Sequence, residues 1–460
     1  MLDRNIAAEV LALAVKTGGD FAEIFMEDTL THSVSMRSGK IDSVNTGRLH
    51  GAGVRVLQGI RAVYVYTNDT SREGMMRCAE QAAAAVRSGA GCKPIAMTPV
   101  DYARPQDIII RPDTVKAAAK AEKLRAADAA ARAFSSEIVQ VNTSCTDSAQ
   151  KVLICNTEGV WATDERIRLR LAVSAIASDG HENQTGFEGP GGTFGFEAFD
   201  GMIDPEAAAR TAAESAVTML HAPVCPAGMM PVVIDNGFGG VIFHEACGHS
   251  LEATSVADGL SEFSGKLGEM IASPIVTAID DGTIPGRWGS LHVDDEGMAP
   301  TNLTLIKDGR LVNYMIDKLG SRKMNMAPTG SGRRQGYTYA PTSRMRNTYI
   351  AAGTDSEEEM IATMGDGLYA KKMGGGSVNP ATGEFNFAVA EGYLVKDGKI
   401  VHPVRGASLI GRGGEILQRI DRVGTNLKLA DGNCGSISGT VPTCVGQPMI
   451  RVTGITVGGR

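Results

Sequence analysis

The segment Phe243-His244-Glu245-Ala246-Cys247-Gly248-His249 places a carboxylate between two imidazoles, in the order His-Glu-x-x-x-His. Neutral imidazole is the commonest zinc ligand, and a glutamate beside the first imidazole can take a proton from a metal-bound water. An apolar, strand-like run at 230–235 and a glycine-rich turn at 237–240 precede the segment. The pattern predicts a metal site on a helix, with His244 and His249 as ligands and Glu245 beside them.

The spacing of the two histidines requires a distorted helix. Side chains five positions apart diverge by roughly 140° on a straight α-helix, whereas the familiar His-Glu-x-x-His motif places its histidines four apart. A π-bulge makes positions i and i+5 neighbours, and Gly248 lowers the cost of an unusual backbone. We expect a helix over 238–254 that widens or ends near Cys247–Gly248. The alternative is that both histidines only cap or pack the helix.

The third metal ligand is less clearly marked. A catalytic zinc site normally has three protein ligands and a water, so two imidazoles leave one ligand missing. Cys434 is a candidate because glycines at 432 and 435 flank it and let the backbone approach an ion closely. A lone cysteine is, however, more often a small buried apolar residue than a ligand. The other candidates are Cys247, Cys444, the remaining cysteines, His221, His292, His402 and nearby carboxylates.

The run from His244 to Glu252 resembles the zinc helix of the TldD/PmbA metallopeptidase family, in particular its TldD branch. Other segments are also similar to family sequence, at 263–269, 280–283, 294–297, 328–334, 345–349, 374–376, 434–435 and 445–448. The resemblance implies that His244, His249 and Cys434 bind Zn²⁺. It also implies that Glu245 is the catalytic carboxylate of a zinc-dependent metallopeptidase.

The resemblance is dense over 226–460 and weaker in the N-terminal half. Cys247 and Cys444 stand where we expect apolar residues of this family. Valine and cysteine are similar in bulk, so we interpret Cys247 as a packing residue. Either thiol remains an alternative ligand to Cys434.

Substrate and partner expectations follow from the same resemblance. It implies hydrolysis of peptide bonds in unfolded or flexible polypeptides and peptide precursors, because a site enclosed at a domain or subunit interface rejects folded chains. It also implies a dimer, either with a PmbA (TldE)-type subunit that lacks the zinc motif or with a second copy of the chain. The intact motif predicts the catalytic subunit. The alternatives are a non-catalytic binding or scaffold subunit and a different zinc hydrolase, although the zinc deaminase pattern, His-x-Glu with Pro-Cys-x-x-Cys, is absent.

Composition narrows the class of protein. The chain has a net charge of −7 and lacks a block of lysines and arginines, which argues against nucleic-acid binding. Its eight cysteines are dispersed without Cys-x-x-Cys pairs, which is typical of reduced thiols in the cytoplasm. No stretch approaches the ~20 apolar residues that span a membrane. The apolar run 6–15 is interrupted by Glu9, so we expect an amphipathic helix there rather than a signal peptide.

The periodicity of apolar residues predicts an α+β protein of two domains, at 1–222 and 223–460. The first has an antiparallel sheet, with strands within 20–67 and 136–178, and helices at 3–17, 71–87, 114–133 and 205–221. Its helix-rich segment lies near 70–133, with a Gly/Pro-rich linker at 89–105. The second is mostly β, with hairpins that turn at Asp308-Gly309 and Asp397-Gly398 and a helix at 356–364. We expect a curved or barrel-like antiparallel sheet that carries the zinc helix and the Cys434 loop.

Arg333, Arg334 and Tyr337 form a basic and aromatic cluster with Tyr339. The functional interpretation is a peptide-binding wall whose guanidinium groups hold a substrate carboxylate. The alternative is a solvated loop near a hairpin. Two glycine-rich segments, 189–192 and 411–414, lack the strand–loop–helix order and the Lys-Ser/Thr of a phosphate loop, so we do not expect a nucleotide site.

Overall fold

The protein is described by a computed structural model over residues 1–102 and 106–459. Over these residues, the N-terminal half contains four α-helices and a large sheet. The helices are α1 Arg4–Ala14, α2 Arg72–Ala84, α3 Ala117–Phe134 and α4 Pro205–Leu220. The strands are β1 Phe21–Arg37, β2 Lys40–Gln58, β3 Arg61–Thr67, β4 Thr98–Pro99, β5 Ile138–Asn156, β6 Val160–Ser178, β7 Asn183–Glu188 and β8 Gly191–Gly192.

The predicted antiparallel N-terminal sheet is confirmed. Its strand order is β3-β2-β1-β5-β6-β4, with β7 and β8 also paired to β6. The two-residue pairing of β4 with β6 is parallel, in contrast to the antiparallel neighbours. β1 runs through 17 residues, whereas the apolar alternation predicts two shorter strands at 20–28 and 31–37, because the middle part of β1 is exposed and loses that alternation. Part of the predicted linker, residues 103–105, lies outside the described residues.

Two pairs of helices cover the same face of this sheet at its two ends. Alternate residues of a strand face the same side. Near one end, α1 and α2 pack on Ile24 and Leu153, and near the other, α3 and α4 pack on Val141 and Leu171. All four helices lie where the sequence predicts them. Ser71 caps α2 by accepting a hydrogen bond from a first-turn N–H group, which explains its start.

The C-terminal half is mostly β, as predicted. Its strands are β9 Gly228–Ile234, β10 Ala278–Asp281, β11 Asn302–Lys307, β12 Arg310–Leu311, β13 Gly332–Arg333, β14 Thr342–Ser343, β15 Asn347–Ile350, β16 Gly367–Asn379, β17 Glu384–Lys396, β18 Lys399–Val404, β19 Ser408–Arg412, β20 Ile420–Val423, β21 Lys428–Ser436, β22 Gly439–Gln447 and β23 Ile450–Gly458. Its helices are α5 Val241–Phe243, α6 Ala253–Val256, α7 Lys318–Met324, α8 Glu357–Ala362 and α9 Gly413–Gln418.

A closed barrel forms the core of this half and confirms the predicted barrel-like sheet. The strands follow the order β16-β9-β23-β19-β17, and β17 pairs back with β16. A second sheet has the order β12-β11-β10-β15-β22-β21. The pairings of β9 with β16 and of β15 with β22 are parallel, so this half is not purely antiparallel. Both predicted hairpin turns are present, with positive φ at Asp308-Gly309 and at Asp397-Gly398.

The free face of the N-terminal sheet packs on the C-terminal half through a buried network of hydrogen bonds and ion pairs. Arg55 of β2 donates to Glu23 at 2.8 Å and to Glu296 at 2.6 Å. Arg166 of β6 donates to Asp295 at 2.6 Å. Because buried charges are rarely tolerated unless paired, this network determines how the two halves meet. Within the described part of the chain, every helix is too short or too polar to cross a membrane.

Candidate metal centre

The histidine motif adopts the widened turn that its spacing predicts. A 3-10 turn at Gly237–Gly240 leads into α5, residues His244–Gly248 form a π-helical turn, and a second 3-10 turn follows. The helix expected over 238–254 widens at His244–Gly248 as predicted, but it stops at Leu251 rather than at 254, because Glu252 is extended with φ −79° and ψ 131°. The end of the π-helical turn is tightly packed, since a Cβ added at Gly248 would lie 2.2 Å from the Met345 sulfur.

Three side chains converge at this turn. The Nε2 atoms of His244 and of His249 each lie 3.2 Å from the Cys434 sulfur. One ligand atom from each residue lies within 4.8 Å of the others. Cys434 comes from β21, which forms an antiparallel hairpin with β22. His244 and Cys434 are buried, at 3% and 4% exposure, whereas His249 is partly accessible.

This donor set matches a zinc site. Two imidazole nitrogens and one thiolate are ligands that zinc prefers, and tetrahedral zinc leaves about 3.5 Å between a ligand nitrogen and a ligand sulfur. The observed separations of 3.2 Å are close to that value. The other ring nitrogen of His249, Nδ1, lies 3.2 Å from Glu252 Oε2. A carboxylate behind a ligand imidazole fixes the ring orientation and raises the basicity of the ligand nitrogen.

The electrostatics of the cluster favour an anionic sulfur. Burial raises the pKa of the Cys434 thiol, but the charges and hydrogen bonds of His244 and His249 outweigh it and bring the pKa to about 3. Burial lowers the pKa of His249, but Glu252 and Cys434 raise it well above its ordinary value. The thiolate form of Cys434 and the cationic form of His249 therefore stabilise each other, and a divalent cation can take the place of the shared positive charge.

Glu245 extends along the open side of the turn. Its Oε2 lies 3.8 Å from His249 Nε2, and 21% of its side chain is exposed. Burial raises the pKa of its carboxyl, against the lowering effect of the two imidazoles. The Glu245 carboxylate is therefore open to solvent on one side and close to the ring of His249 on the other. It is thus positioned to exchange a proton with a water there.

The other candidate ligands lie elsewhere. Cys247 packs in the apolar core, and the Cys444 thiol donates to Asp431 at 3.2 Å. His221 pairs with Glu137 at 2.8 Å. His292 lies near Asp164, and His402 contacts the carbonyl of Pro403. Within residues 1–102 and 106–459, the cluster of His244, His249 and Cys434 is the one group that meets the geometric requirements of a metal site.

The predicted substrate-binding residues are not part of this cluster. Arg334 donates to Glu23 at 2.7 Å, and the backbone N–H of Tyr337 donates to Glu27 at 2.6 Å, so both belong to the contact between the two halves. Arg333 is 2% exposed. None of the three forms the solvated loop that we considered as the alternative. A role of Arg333, Arg334 and Tyr337 in substrate binding stays a prediction, and the contacts of Arg334 and Tyr337 favour a structural role for these two.

Two residues that support the site, Arg344 and Glu252, were not predicted from the sequence. Arg344 donates to the Cys434 carbonyl at 2.5 Å and to the Gly439 carbonyl at 2.7 Å, which holds the β21–β22 hairpin in place. Glu252 accepts a hydrogen bond from the Met345 N–H at 3.3 Å as well as contacting His249. The position of Glu252, three residues after His249, could have indicated a carboxylate that contacts the ring of this histidine. Arg344 has no such local signal, because its partners are about 90 positions away.

Family models match almost the whole chain. The model of the PmbA/TldA metallopeptidase C-terminal domain matches residues 227–459, the central domain matches 110–220, and domain 1 matches 22–86. The metalloprotease TldD homolog of Haemophilus influenzae is 38% identical over 448 residues, which cover 96% of this chain and 93% of the relative. This chain belongs to the PmbA/TldD metallopeptidase family. The resemblance noted in the sequence is thereby confirmed.

One further relative and two solved structures resemble the chain as well. The zinc metalloprotease TldD homolog of Saccharolobus solfataricus is 30% identical over 53% of this chain and 54% of its own length. Among solved structures, a Thermotoga maritima protein with a proposed role as modulator of a DNA gyrase aligns with a TM-score of 0.80, at 23% identity. TldE from Thermococcus kodakarensis aligns with a TM-score of 0.78, at 17% identity. Each alignment covers 99% of both chains, so the fold is shared over its full length.

Proposed function

We propose that this chain is a zinc metallopeptidase of the His-Glu-x-x-x-His type that hydrolyses peptide bonds of unfolded or flexible polypeptides. His244, His249 and Cys434 are its zinc ligands, and Glu245 is its general base. The observation that carries the proposal is the approach of two imidazole nitrogens and a thiol sulfur to within 4.8 Å of one another. Three protein ligands with a carboxylate at their open side are typical of a catalytic zinc site.

Each residue of the site has a separate role in the proposed reaction. When bound, zinc supplies Lewis-acid polarisation of the scissile carbonyl and lowers the pKa of a water at the site. Glu245 accepts the proton of the attacking water and delivers it to the leaving amine. Glu252 holds His249 by its Nδ1 atom, so that Nε2 stays directed toward Cys434. Arg344 fixes the backbone of Cys434.

The burial of the site supports flexible chains as substrates. His244 and Cys434 are 3% and 4% exposed, and the site lies near the contact between the two halves of the chain. A folded protein cannot bring a peptide bond to such a position without unfolding locally. An extended segment of an unfolded polypeptide or of a peptide precursor can reach it.

The partner and the location belong to the same proposal. A dimer forms either with a PmbA/TldE-type subunit, whose fold TldE shares with this chain, or with a second copy. Because Glu245 and all three ligands are present, this chain is the catalytic subunit rather than a non-catalytic scaffold. Its eight cysteines are all unpaired, which suits the reducing cytoplasm.

Cleavage of an unstructured peptide tests this proposal. The protein is stripped with a chelator, reloaded with Zn²⁺, and assayed alone and together with a PmbA-type subunit. We expect cleavage to disappear on stripping and to return with zinc in at least one of the two mixtures. Binding of the peptide without cleavage in both would support the scaffold alternative.

A further inference from the structure

Cys434 lies in the end of the β21–β22 hairpin that projects beyond the neighbouring strand. β22 pairs with β15 from Cys444 onward, whereas Cys434 lies opposite Val441, nearer the turn of the hairpin. His244 and His249 come from one helical segment, but the third side chain of the cluster comes from this projecting end. The position of its sulfur therefore depends on the contacts that hold the end of the hairpin.

Gln335 holds the turn of this hairpin. Its backbone N–H donates to the Ser438 carbonyl at 2.8 Å, and its side-chain Oε1 accepts a hydrogen bond from the Thr440 N–H at 2.8 Å. Thr440 directly precedes the cross-strand partner of Cys434. A Cβ added at Gly439 would lie 2.5 Å from the Cβ of Gln335, so the two segments are in direct contact. Gln335 is itself exposed, and it therefore acts on the turn from the surface rather than from the core.

The residues that flank this glutamine are tied to the N-terminal half. Arg334 donates to Glu23 of β1 at 2.7 Å, and the Tyr337 N–H donates to Glu27 of the same strand at 2.6 Å. Both carboxylates are buried. The segment 334–337 therefore contacts the N-terminal half through its two ends and the hairpin turn through its middle.

We propose that Gln335 is a positioning residue of the metal centre. Through Gln335, the segment 334–337 ties the end of the β21–β22 hairpin to the N-terminal half, so that the place of the Cys434 sulfur depends on how the two halves are docked. The inference rests on the proposed function, because it takes Cys434 as a zinc ligand. Residues that support metal ligands typically contribute a factor of about 10–100 to metal affinity. Because Arg344 also holds this turn, we expect the lower end of that range.

The zinc affinity of the full-length chain tests this role. Zinc is titrated against a competing chelator into the wild type, Gln335→Ala and Gln335→Glu. The alanine variant loses the acceptor for the Thr440 N–H, and we expect its zinc dissociation constant to rise about 10-fold. The glutamate variant keeps an acceptor oxygen at the same reach, so its dissociation constant should stay within about threefold of the wild type. An unchanged affinity in Gln335→Ala, or an equal loss in Gln335→Glu, overturns the proposal.

A purely structural role of Gln335 makes a different prediction. It would lower the melting temperature of the metal-free protein and leave the sulfur in place around a bound metal. Because Gln335 is exposed, the positioning role predicts a melting temperature of metal-free Gln335→Ala within about 2 °C of the wild type. It also predicts a shifted or weaker thiolate-to-metal absorption after loading with Co²⁺ in place of zinc. An unaltered absorption, or a clear decrease in the melting temperature, overturns the proposal.

The dependence on docking is tested from the N-terminal half. The Tyr64 hydroxyl of β3 donates to the Tyr337 carbonyl at 2.6 Å and accepts from Arg334 at 3.2 Å, and Tyr64→Phe removes both bonds. We expect zinc affinity to fall about threefold or more, with no further loss when Tyr64→Phe is added to Gln335→Ala, because both changes interrupt one connection. Tyr66→Phe, at an exposed tyrosine of the same strand, should keep the affinity. Unchanged affinity in Tyr64→Phe, or independent losses in the double variant, contradict the connection.

The inference and the proposed function fail separately. A wild type that binds no zinc, or that keeps its zinc affinity in Cys434→Ala, contradicts the proposed ligands. A wild type that binds zinc through Cys434 but with the same affinity in Gln335→Ala contradicts the positioning role alone.

Discussion

The rings of His244 and His249 lie 5.2 Å apart, with their planes at 82°, although five positions separate the two residues. A straight helix would direct them roughly 140° apart. The π-helical turn at His244–Gly248 removes this divergence and lets both Nε2 atoms reach Cys434. The site therefore depends on a local distortion, and the surrounding packing must hold that distortion in place.

Gly413→Ala should disturb the π-helical turn, although Gly413 is not one of the proposed ligands. A Cβ at Gly413 would lie 1.9 Å from the carbonyl oxygen of Ala246, which belongs to the π-helical turn. Because backbone atoms must move, we expect a loss of about 1–3 kcal/mol in the free energy of unfolding and weaker zinc binding. Chemical denaturation and a zinc titration measure both. Gly375→Ala is the control, since a Cβ there meets nothing within 4 Å, and an equal effect in the two variants would refute the argument.

Glu245→Gln should separate metal binding from catalysis. The amide keeps the size of the side chain but cannot accept the proton of the attacking water. We expect full zinc content and at least about a 10²-fold loss of kcat on an unstructured peptide. Metal analysis and a turnover assay give both values. Near-normal turnover would show that another group acts as the base.

Cys434→Ala should lose zinc, whereas Cys444→Ala should retain it. Removal of one of three protein ligands weakens a site strongly, and the Cys444 thiol is instead engaged with Asp431. Zinc content after dialysis against a weak chelator measures the difference. The same zinc content in both variants would mean that the wrong sulfur has been assigned.

The contact between the two halves should weaken as the pH rises. Burial and the nearby Asp317 raise the pKa of Glu296 to about 8, against the lowering effect of Arg55. The folded chain thus keeps a proton that the unfolded chain, with an ordinary glutamate pKa of 4.5, has lost. This contribution to stability is full below pH 4.5 and declines toward pH 8, by at most about 1.4 kcal/mol per pH unit.

Glu296→Gln is the test of this pH dependence. The amide cannot titrate, so the slope of unfolding free energy against pH between 5 and 8 should become shallower in the variant. Glu384→Gln, at an exposed carboxylate, should keep the wild-type slope. A Glu296→Gln protein with the wild-type slope would place the titrating group elsewhere.

Local sequence signals predicted much of this structure. The i+5 spacing of His244 and His249 predicted the widened turn, and the Asp-Gly pairs predicted both hairpins, because each feature depends only on neighbouring residues. Apolar periodicity located the four N-terminal helices and the barrel-like sheet. The division into domains at 222/223 stays a prediction.

Features that depend on distant contacts were not predictable in the same way. α7 begins where Asp317 caps it, but it is too short to show an apolar period. The parallel pairings of β9 with β16 and β15 with β22 join segments about 100 or more positions apart. The contact of Arg334 with Glu23 was not predictable either, because the two residues lie 311 positions apart. Charge alone does not distinguish a ligand-binding arginine from one that is paired inside the protein.

X-ray absorption at the zinc edge of the zinc-loaded protein tests the central claim most directly. We predict one sulfur at about 2.3 Å and two imidazole nitrogens at about 2.0–2.1 Å around one ion per chain. The sulfur contribution should vanish in Cys434→Ser. A wild-type spectrum with only oxygen and nitrogen neighbours, or a sulfur that persists in Cys434→Ser, would contradict the assignment of His244, His249 and Cys434 as the zinc ligands.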